Sequence, residues 1–353
     1  MKYENYPIAG LDFIFDKDGK PWFLEANSAS TVHEEYAKVY GDCTTVKKIA
    51  KLINKMPGKN FCVFVKRKQW NGNSRNKAHW LASELIPFLN KDIHICYMDN
   101  NLRVARSFFL DHNFIKLTLT NFTKGGGNSY VLNSHRRKVK PDIIFRNYFQ
   151  LNPDFEQEGV RVINTMAARD LVWFKHKCYD AVKEVKGIKI PKYFLVNNNE
   201  DLKTTLKDNT NLFNKGYVVK PLGNSLGRNV KVTDSLRMPM NYKVQPGSMV
   251  QQRITPKLVK KKKYWDVRVF VINGKYAGAV KRISKNKVTN IARGGYGDQV
   301  TKKLDRKLKN ISEKITHALE KKALDMKKEK YNYILTPEQP KLREVVWHPI
   351  GEE

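Results

Sequence analysis

The feature that most limits what this chain can fold into is a strand pair in its C-terminal half, YWDVRVFVI and KYAGAVKRIS (264–284), joined by Asn273-Gly274. Asn-Gly is the favoured two-residue hairpin turn, because both central positions need positive φ, and it sets the register of the strands it joins. Counting back from the turn, Ile272 faces Lys275, Phe270 faces Ala277, Arg268 faces Ala279 and Asp266 faces Lys281. Side chains alternate along a strand, so Asp266, Arg268 and Lys281 are expected on one side of the ribbon. Charges inside strands otherwise built of Val, Phe and Ile must be solvated, paired or bound to a ligand. Two readings follow: a cross-strand salt bridge on a wet face, or a polar patch that faces a ligand.

A second hairpin signal stands at the other end. In GLDFIFDKDGKPWFLEAN (10–27), apolar and polar residues alternate on both sides of a DKDGK turn. A register with Phe15 facing Trp22 puts Asp12 opposite Glu25, with Asn27 on the face of Glu25. The plainer alternative is an exposed hairpin with incidental acids. A helical pattern runs on to about Lys55 and stops at Pro57-Gly58. Strand-like and helix-like segments then alternate: 61–67, 76–89, 94–98, a Gly-rich loop at Gly125 to Gly127, 142–148 and 162–164. That alternation predicts a small parallel α/β unit.

Beyond residue 165 the rhythm changes. A helix around Lys175 to Val185 ends at Gly187 and Pro191. GYVVKPLGNSLGRNVKV (216–232) follows, then MVQQRI (249–254), the 264–284 hairpin and a long helix. In that helix Leu304, Leu308, Ile311, Ile315 and Leu319 recur at helical spacing, which predicts a core-facing stripe.

Composition narrows the function classes. At 353 residues and 41% hydrophobic content the chain is globular, with room for one large domain or two to three smaller ones. No apolar run reaches the roughly 18 to 20 residues that cross a bilayer, and the N-terminus lacks an apolar signal core, so a cytoplasmic protein with no membrane partner is expected. Cys43, Cys62, Cys96 and Cys178 have neither zinc-site spacing nor disulfide density. A net charge of +32 draws polyanions, with nucleic acid, nucleotides and acidic peptides all eligible. The basic run Lys257 to Lys263 reads as a solvated loop or as a contact for an acidic substrate.

Within GYVVKPLGNSLGRNVKV, small residues Gly223, Ser225 and Gly227 tip a hairpin whose backbone N–H groups can approach phosphate oxygens, and Lys220 can reach the same anion. No GxxxxGK[ST] occurs, so a P-loop is excluded. Downstream, VTNIARGGYGD carries Asn290 and Arg293 before a double glycine, and an arginine fork suits phosphate or carboxylate.

The order Lys175, VVKP-x-x-x-S-x-G, V-Q-Q, D-x-R, V-K-R and N-x-x-R-G-G resembles the ATP-grasp superfamily. It is similar in particular to the ligases that add glutamate to the C-terminus of a ribosomal protein, and more so to the spore-coat-associated ATP-grasp proteins. The resemblance implies an α/β chain of the α+β ATP-grasp kind: a parallel α/β pre-ATP-grasp unit, then an ATP-grasp domain of two antiparallel sheets flanked by helices. It implies three parts: residues 1–58 as the C-terminal tail of a first ATP-grasp domain, 59–164 as the pre-ATP-grasp domain and 165–353 as an ATP-grasp domain. It further implies that Lys175 and Lys220 meet ATP phosphates, that Gly223, Ser225 and Gly227 close over them, and that Gln251 and Gln252 form the hinge at the adenine. Asp266, Arg268 and Lys281 would line the nucleotide and acyl-phosphate region, with Asn290 and Arg293 steadying the transferred phosphate.

The family holds Mg²⁺ with an Asp on one strand and Glu-x-Asn on the next, oxygen donors that suit a hard cation. At the C-terminus Asn332 stands in for the Asp, Glu344 remains and Val346 replaces the Asn. Asp12, Glu25 and Asn27 carry the intact pattern at the N-terminus. The implied function is an ATP-dependent carboxylate–amine ligase acting on an acidic peptide or amino acid through an acyl phosphate. The alternatives are a catalytically degenerate relative that binds nucleotide or a partner in a particle, and a plain nucleic-acid binder resting on charge alone.

Overall fold

The computed structural model describes residues 3–27, 33–66, 84–98, 113–119, 132–138, 142–145, 156, 160–222, 229–237, 242–256, 258–259, 263–289 and 294–334. The chain opens with hairpin strands β1 (Ile8–Phe15) and β2 (Pro21–Asn27), followed by helices α1 (His33–Tyr40) and α2 (Thr44–Asn54). In α2 the residues Val46, Ile49, Ala50 and Ile53 are buried, the spacing of a helix that buries one face.

Strands β3 (Asn60–Lys66), β4 (Asp92–Met98), β5 (Asn113–Leu119), β6 (Leu132–Lys138), β7 (Ile143–Phe145) and β8 (Arg161–Ile163) form a six-stranded sheet in the order β6-β5-β4-β3-β7-β8. The pairs β3/β4, β3/β7 and β7/β8 are parallel, the α/β unit read from the alternation. Strands β5 and β6 are an antiparallel addition on one side, in a stretch for which no strand was expected; Gly125 to Gly127 lie outside the described residues.

The next elements are α3 (Met166–Trp173), α4 (Lys175–Val182), β9 (Tyr193–Val196), α5 (Asn199–Asp208), β10 (Tyr217–Pro221), β11 (Lys231–Val232) and β12 (Ser248–Gln252). Their strands make an antiparallel sheet ordered β11-β10-β12-β9. Strands β13 (Tyr264–Ile272), β14 (Lys275–Ser284) and β15 (Tyr296–Gln299) precede the long helix α6 (Lys302–Ile334). Helix α6 buries Leu308, Ile315 and Leu319 and packs Leu304 and Ile311 against the same core, so the expected stripe is the one that faces inward.

The five-stranded sheet, β15-β14-β13-β1-β2, decides the architecture. The N-terminal hairpin pairs directly with the 264–284 ribbon, running from Ile8↔Ile272 to Phe13↔Val267. Residues expected to be the tail of a separate first body thus supply two strands of the same sheet as residues 264–299. Three further contacts fasten them. The Glu320 carboxylate accepts hydrogen bonds from the backbone N–H groups of Glu4, Asn5 and Tyr6, the Asn164 side chain bonds both backbone groups of Ile8, and Asn273 N–H donates to Pro7 O at 2.7 Å. Asn332 falls within α6, where a strand was expected, so the C-terminal copy of the metal hairpin does not start at that residue. Alternate residues of the sheet serve different cores. Leu11, Phe13, Val267, Val269 and Ala279 join α3, α4 and α6, while Ile8, Phe270, Ile272 and Val280 meet α1 and α2.

Candidate active site between the two antiparallel sheets

Strand alternation puts Asp12 of β1 and Arg268 of β13 on one face of the five-stranded sheet, and Asp12↔Arg268 are direct partners. Arg268 grips Asp12 with a two-pronged pair, Nε to Oδ1 and Nη2 to Oδ2, each 2.7 Å. Arg282 does the same to Asp266, Nε to Oδ1 and Nη2 to Oδ2 at 2.6 Å, and its Nη2 also lies 3.0 Å from Asp12 Oδ2. The Thr289 hydroxyl donates to Asp266 Oδ2 as well. Glu25 stands opposite Asp12 on β2, and Asn27 opposite Gly10.

Burial alone would push the Asp12 carboxyl up, but Arg268 and Arg282 hold it well below the usual carboxylate range. Desolvation likewise works against the charge on Arg282, and Asp12 and Asp266 overcome it, so the guanidinium stays protonated. Arg268 Nη1 has a second carboxylate within 3.6 Å, Oε1 of Glu35 on α1.

The two-residue turn does not carry its register the full length of the ribbon. Ile272 faces Lys275 as expected, but a β-bulge falls between Phe270 and Val271, after which Phe270 faces Gly278, Arg268 faces Val280 and Asp266 faces Arg282. Gly278 adopts φ +150°, and a Cβ there would lie 2.4 Å from the Tyr36 ring, so glycine both makes the bulge and lets α1 close on the sheet. One extra residue swaps faces for everything beyond it. Lys281 therefore leaves the cluster: its ammonium sits 5.1 Å over the Trp265 ring, which stacks on Phe15 on the opposite side. Arg282, absent from the expected set, takes its place. The signal was in the sequence, because a glycine inside a strand marks a bulge. The N-terminal hairpin bulges too. Phe15 faces Pro21 rather than Trp22, and a shift between Asp12 and Phe13 brings Asp12 back opposite Glu25.

The four-stranded sheet supplies the other wall. Lys220 on β10 is 8% exposed and, among the described residues, pairs with no carboxylate within ion-pair distance. Burial pushes its ammonium down to about 8, helped by nearby Lys175 and opposed by Glu25, Asp12 and Asp266. The three carboxylates come from the five-stranded sheet and Lys220 from the four-stranded one, so Lys220, Asp12, Glu25 and Asp266 face one common space. Lys175, the first residue of α4, is buried beside it, with Nζ 3.5 Å from Leu222 O. Gln251 is buried and accepts from the Tyr179 hydroxyl, while Gln252 is half-buried and its N–H donates to Lys192 O. A cavity of ≈ 410 Å³ is lined by Val232, Asn286, Lys287 and Val288. Next to it Asp234 takes both Lys287 and Arg253. Gly223, Ser225, Gly227, Asn290, Arg293 and Glu344 lie outside the described residues.

Two antiparallel sheets that meet over buried lysines, with an acidic strand pair across from them, are the layout of an ATP-grasp fold. Residues 174–336 match the RimK-like ATP-grasp domain. Among solved structures it is similar to a protein provisionally described as gamma-glutamylcysteine synthetase from Methylobacillus flagellatus KT, with TM-score 0.55 and 10% identity over 93% of this chain and 91% of that chain. At that identity the likeness speaks for the fold. Looser similarities include D-alanyl-alanine synthetase A from Vibrio cholerae O1 biovar eltor, at TM-score 0.42 and 13% identity over 75% of this chain and 82% of that one. N5-carboxyaminoimidazole ribonucleotide synthetase from Thermotoga maritima aligns at TM-score 0.41 and 11% identity over 74% and 62%. No curated protein matches by sequence. Among the described residues no helix is long and apolar enough to cross a membrane.

Proposed function

We propose that the chain is an ATP-dependent carboxylate–amine ligase. The observation that carries the reading is Lys220: a buried cation without an ion-pair partner among the described residues, facing the carboxylates of the opposite sheet. Burying an ammonium unpaired is costly, and a polyphosphate in the shared space removes that cost. In this reading Lys220 and Lys175 hold the phosphates, Gly223, Ser225 and Gly227 cover them, and Gln251 and Gln252 border the base. Asn290, Arg293 and Arg268 neutralise charge on the transferred phosphoryl group, and Arg282 stands where Lys281 was expected. A substrate carboxylate oxygen attacks the γ-phosphorus and ADP leaves. An amine then attacks the acyl carbon, expelling phosphate and giving up a proton. Phosphoryl transfer of this kind asks a protein mainly for positioning and charge neutralisation.

The donor chemistry for Mg²⁺ fits Asp12, Glu25 and Asn27: hard oxygen ligands on paired strands, with the Asn27 side-chain nitrogen buried and unpartnered. Among the described residues no group of three His, Cys, Asp or Glu could hold a metal by itself, which suits an ion completed by phosphate oxygens. When bound, Mg²⁺ would neutralise charge developing on the phosphates. The N-terminal hairpin would serve the body it is paired with, in the same chain. The net charge of +32 favours an acidic peptide or amino acid as the carboxylate substrate, and the ligase reading carries a cytoplasmic setting with it.

The test is to incubate the protein with ATP, Mg²⁺, hydroxylamine and a panel of acidic amino acids and peptides. Release of ADP with hydroxamate is expected, and neither should appear with Lys220→Met. ATP binding without ADP or hydroxamate across the panel would favour the second reading, a nucleotide-binding relative without turnover. The substitutions at Asn332 and Val346 motivate that one.

A further inference from the structure

Asp12 is central to the proposed cation site, yet most of its capacity is taken. A carboxylate offers about four lone-pair positions. Arg268 uses one on each oxygen and Arg282 takes a further one on Oδ2. One position on Oδ1 is left, so a cation that takes Asp12 without sharing its oxygens with a guanidinium must compete with an arginine, or the arginine must have somewhere else to go.

Arg282 is the less free of the two, because its Nε and Nη2 are both committed to Asp266 at 2.6 Å. Arg268 does have an alternative. Its Nη1 lies 3.6 Å from Glu35 Oε1, longer than a charge-assisted hydrogen bond of about 2.8 Å. The Glu35 side chain is 11% exposed, and its Oε2 is buried without a hydrogen-bond partner among the described residues. An unfilled carboxylate oxygen in such a place is costly and needs a reason. Closing the gap takes a shift on the order of 1 Å at the end of one side chain. No backbone need move.

We infer that Glu35 is a positioning residue that takes Arg268 over from Asp12 when a divalent cation enters with nucleotide, leaving Asp12 Oδ1 to the cation alone. The inference rests on the ligase reading above. Before loading, among the described residues, the carboxylates Asp12, Glu25, Glu35 and Asp266 balance Lys175, Lys220, Arg268 and Arg282 one for one. On loading, Arg268 stays in the site and remains paired, so the cation gains Asp12 without leaving a buried guanidinium unmatched. Such a device differs from a static outer contact, because Glu35 should matter for the cation and not for the nucleotide alone.

The experiment measures free Mn²⁺ by electron paramagnetic resonance during titration of protein with ADP, and ADP affinity without metal by calorimetry. Glu35→Gln is expected to weaken Mn²⁺ in the ADP complex by about 10- to 100-fold and to leave metal-free ADP affinity within about twofold. Glu35→Asp should recover most of the loss. In Arg268→Lys, which cannot fork two carboxylates, adding Glu35→Gln should change Mn²⁺ affinity little; this pair also decides the matter if Glu35→Gln alone folds poorly. Wild-type Mn²⁺ affinity in Glu35→Gln, equal losses for metal and for metal-free ADP, or additive effects in the double variant would each overturn the hand-over. A wild-type protein that takes up neither ADP nor Mn²⁺ would overturn the ligase reading itself.

Discussion

The two walls of the cleft handle charge in opposite ways. On the five-stranded sheet, Asp12, Asp266, Arg268 and Arg282 satisfy one another in a closed lattice that spans β1, β13 and β14. On the four-stranded sheet, Lys220 is buried with no such partner, and its charge is held against desolvation by carboxylates across the gap. The first wall is finished without a ligand. In the proposed reading the second is finished only when an anion arrives. A lattice of this kind ties the N-terminal hairpin to the rest of the sheet, and on that reading the lone lysine keeps the affinity for the ligand.

If that contrast is right, damage to the lattice should register as lost stability and damage to the lysine as lost affinity. The largest effect is expected for Arg282→Ala, which leaves Asp266 and part of Asp12 uncompensated. Unfolding in urea should show a loss of about 3–5 kcal/mol. Lys220→Met should weaken ATP binding about 10- to 100-fold by calorimetry while leaving the protein as stable as the parent or more so, since it removes a buried unpaired charge. Glu320→Gln takes one charged oxygen from the backbone N–H groups of residues 4 to 6 and should cost about 1–3 kcal/mol, with hydrogen exchange rising first along β1. Lys281→Ala should be the mildest, within about 0.5 kcal/mol and with ATP affinity unchanged, because its ammonium lies over Trp265 away from the cleft. A large loss of affinity in Lys281→Ala would mean that the bulged register is wrong.

Much of this was legible in the residues. The ordered motifs pointed to the fold, the stripe in α6 to its buried face, and Asp12 opposite Glu25 to the acidic pair. What counting missed was the bulge at Gly278, because a turn fixes register only until an extra residue enters one strand. The β5–β6 pair was missed because a polar, glycine-interrupted stretch shows no clear period. Sheet partners were also beyond reach. Alternation in residues 10–27 says that a hairpin exists, but its pairing with β13 depends on Glu320 and Asn164, residues far along the chain whose role appears only in three dimensions.

The most direct test follows from Lys220. Its folded pKa of about 8 lies below the ordinary 10.5, so the cost of keeping it charged is borne in full below pH 8 and is relieved as pH rises from 8 towards 10.5. A polyphosphate beside it restores the proton. Calorimetry of ATP binding at pH 8.5, in two buffers of different ionisation enthalpy, should therefore report proton uptake by the wild-type protein and none with Lys220→Met. Binding of equal strength in both, with no protons exchanged in either, would contradict the account.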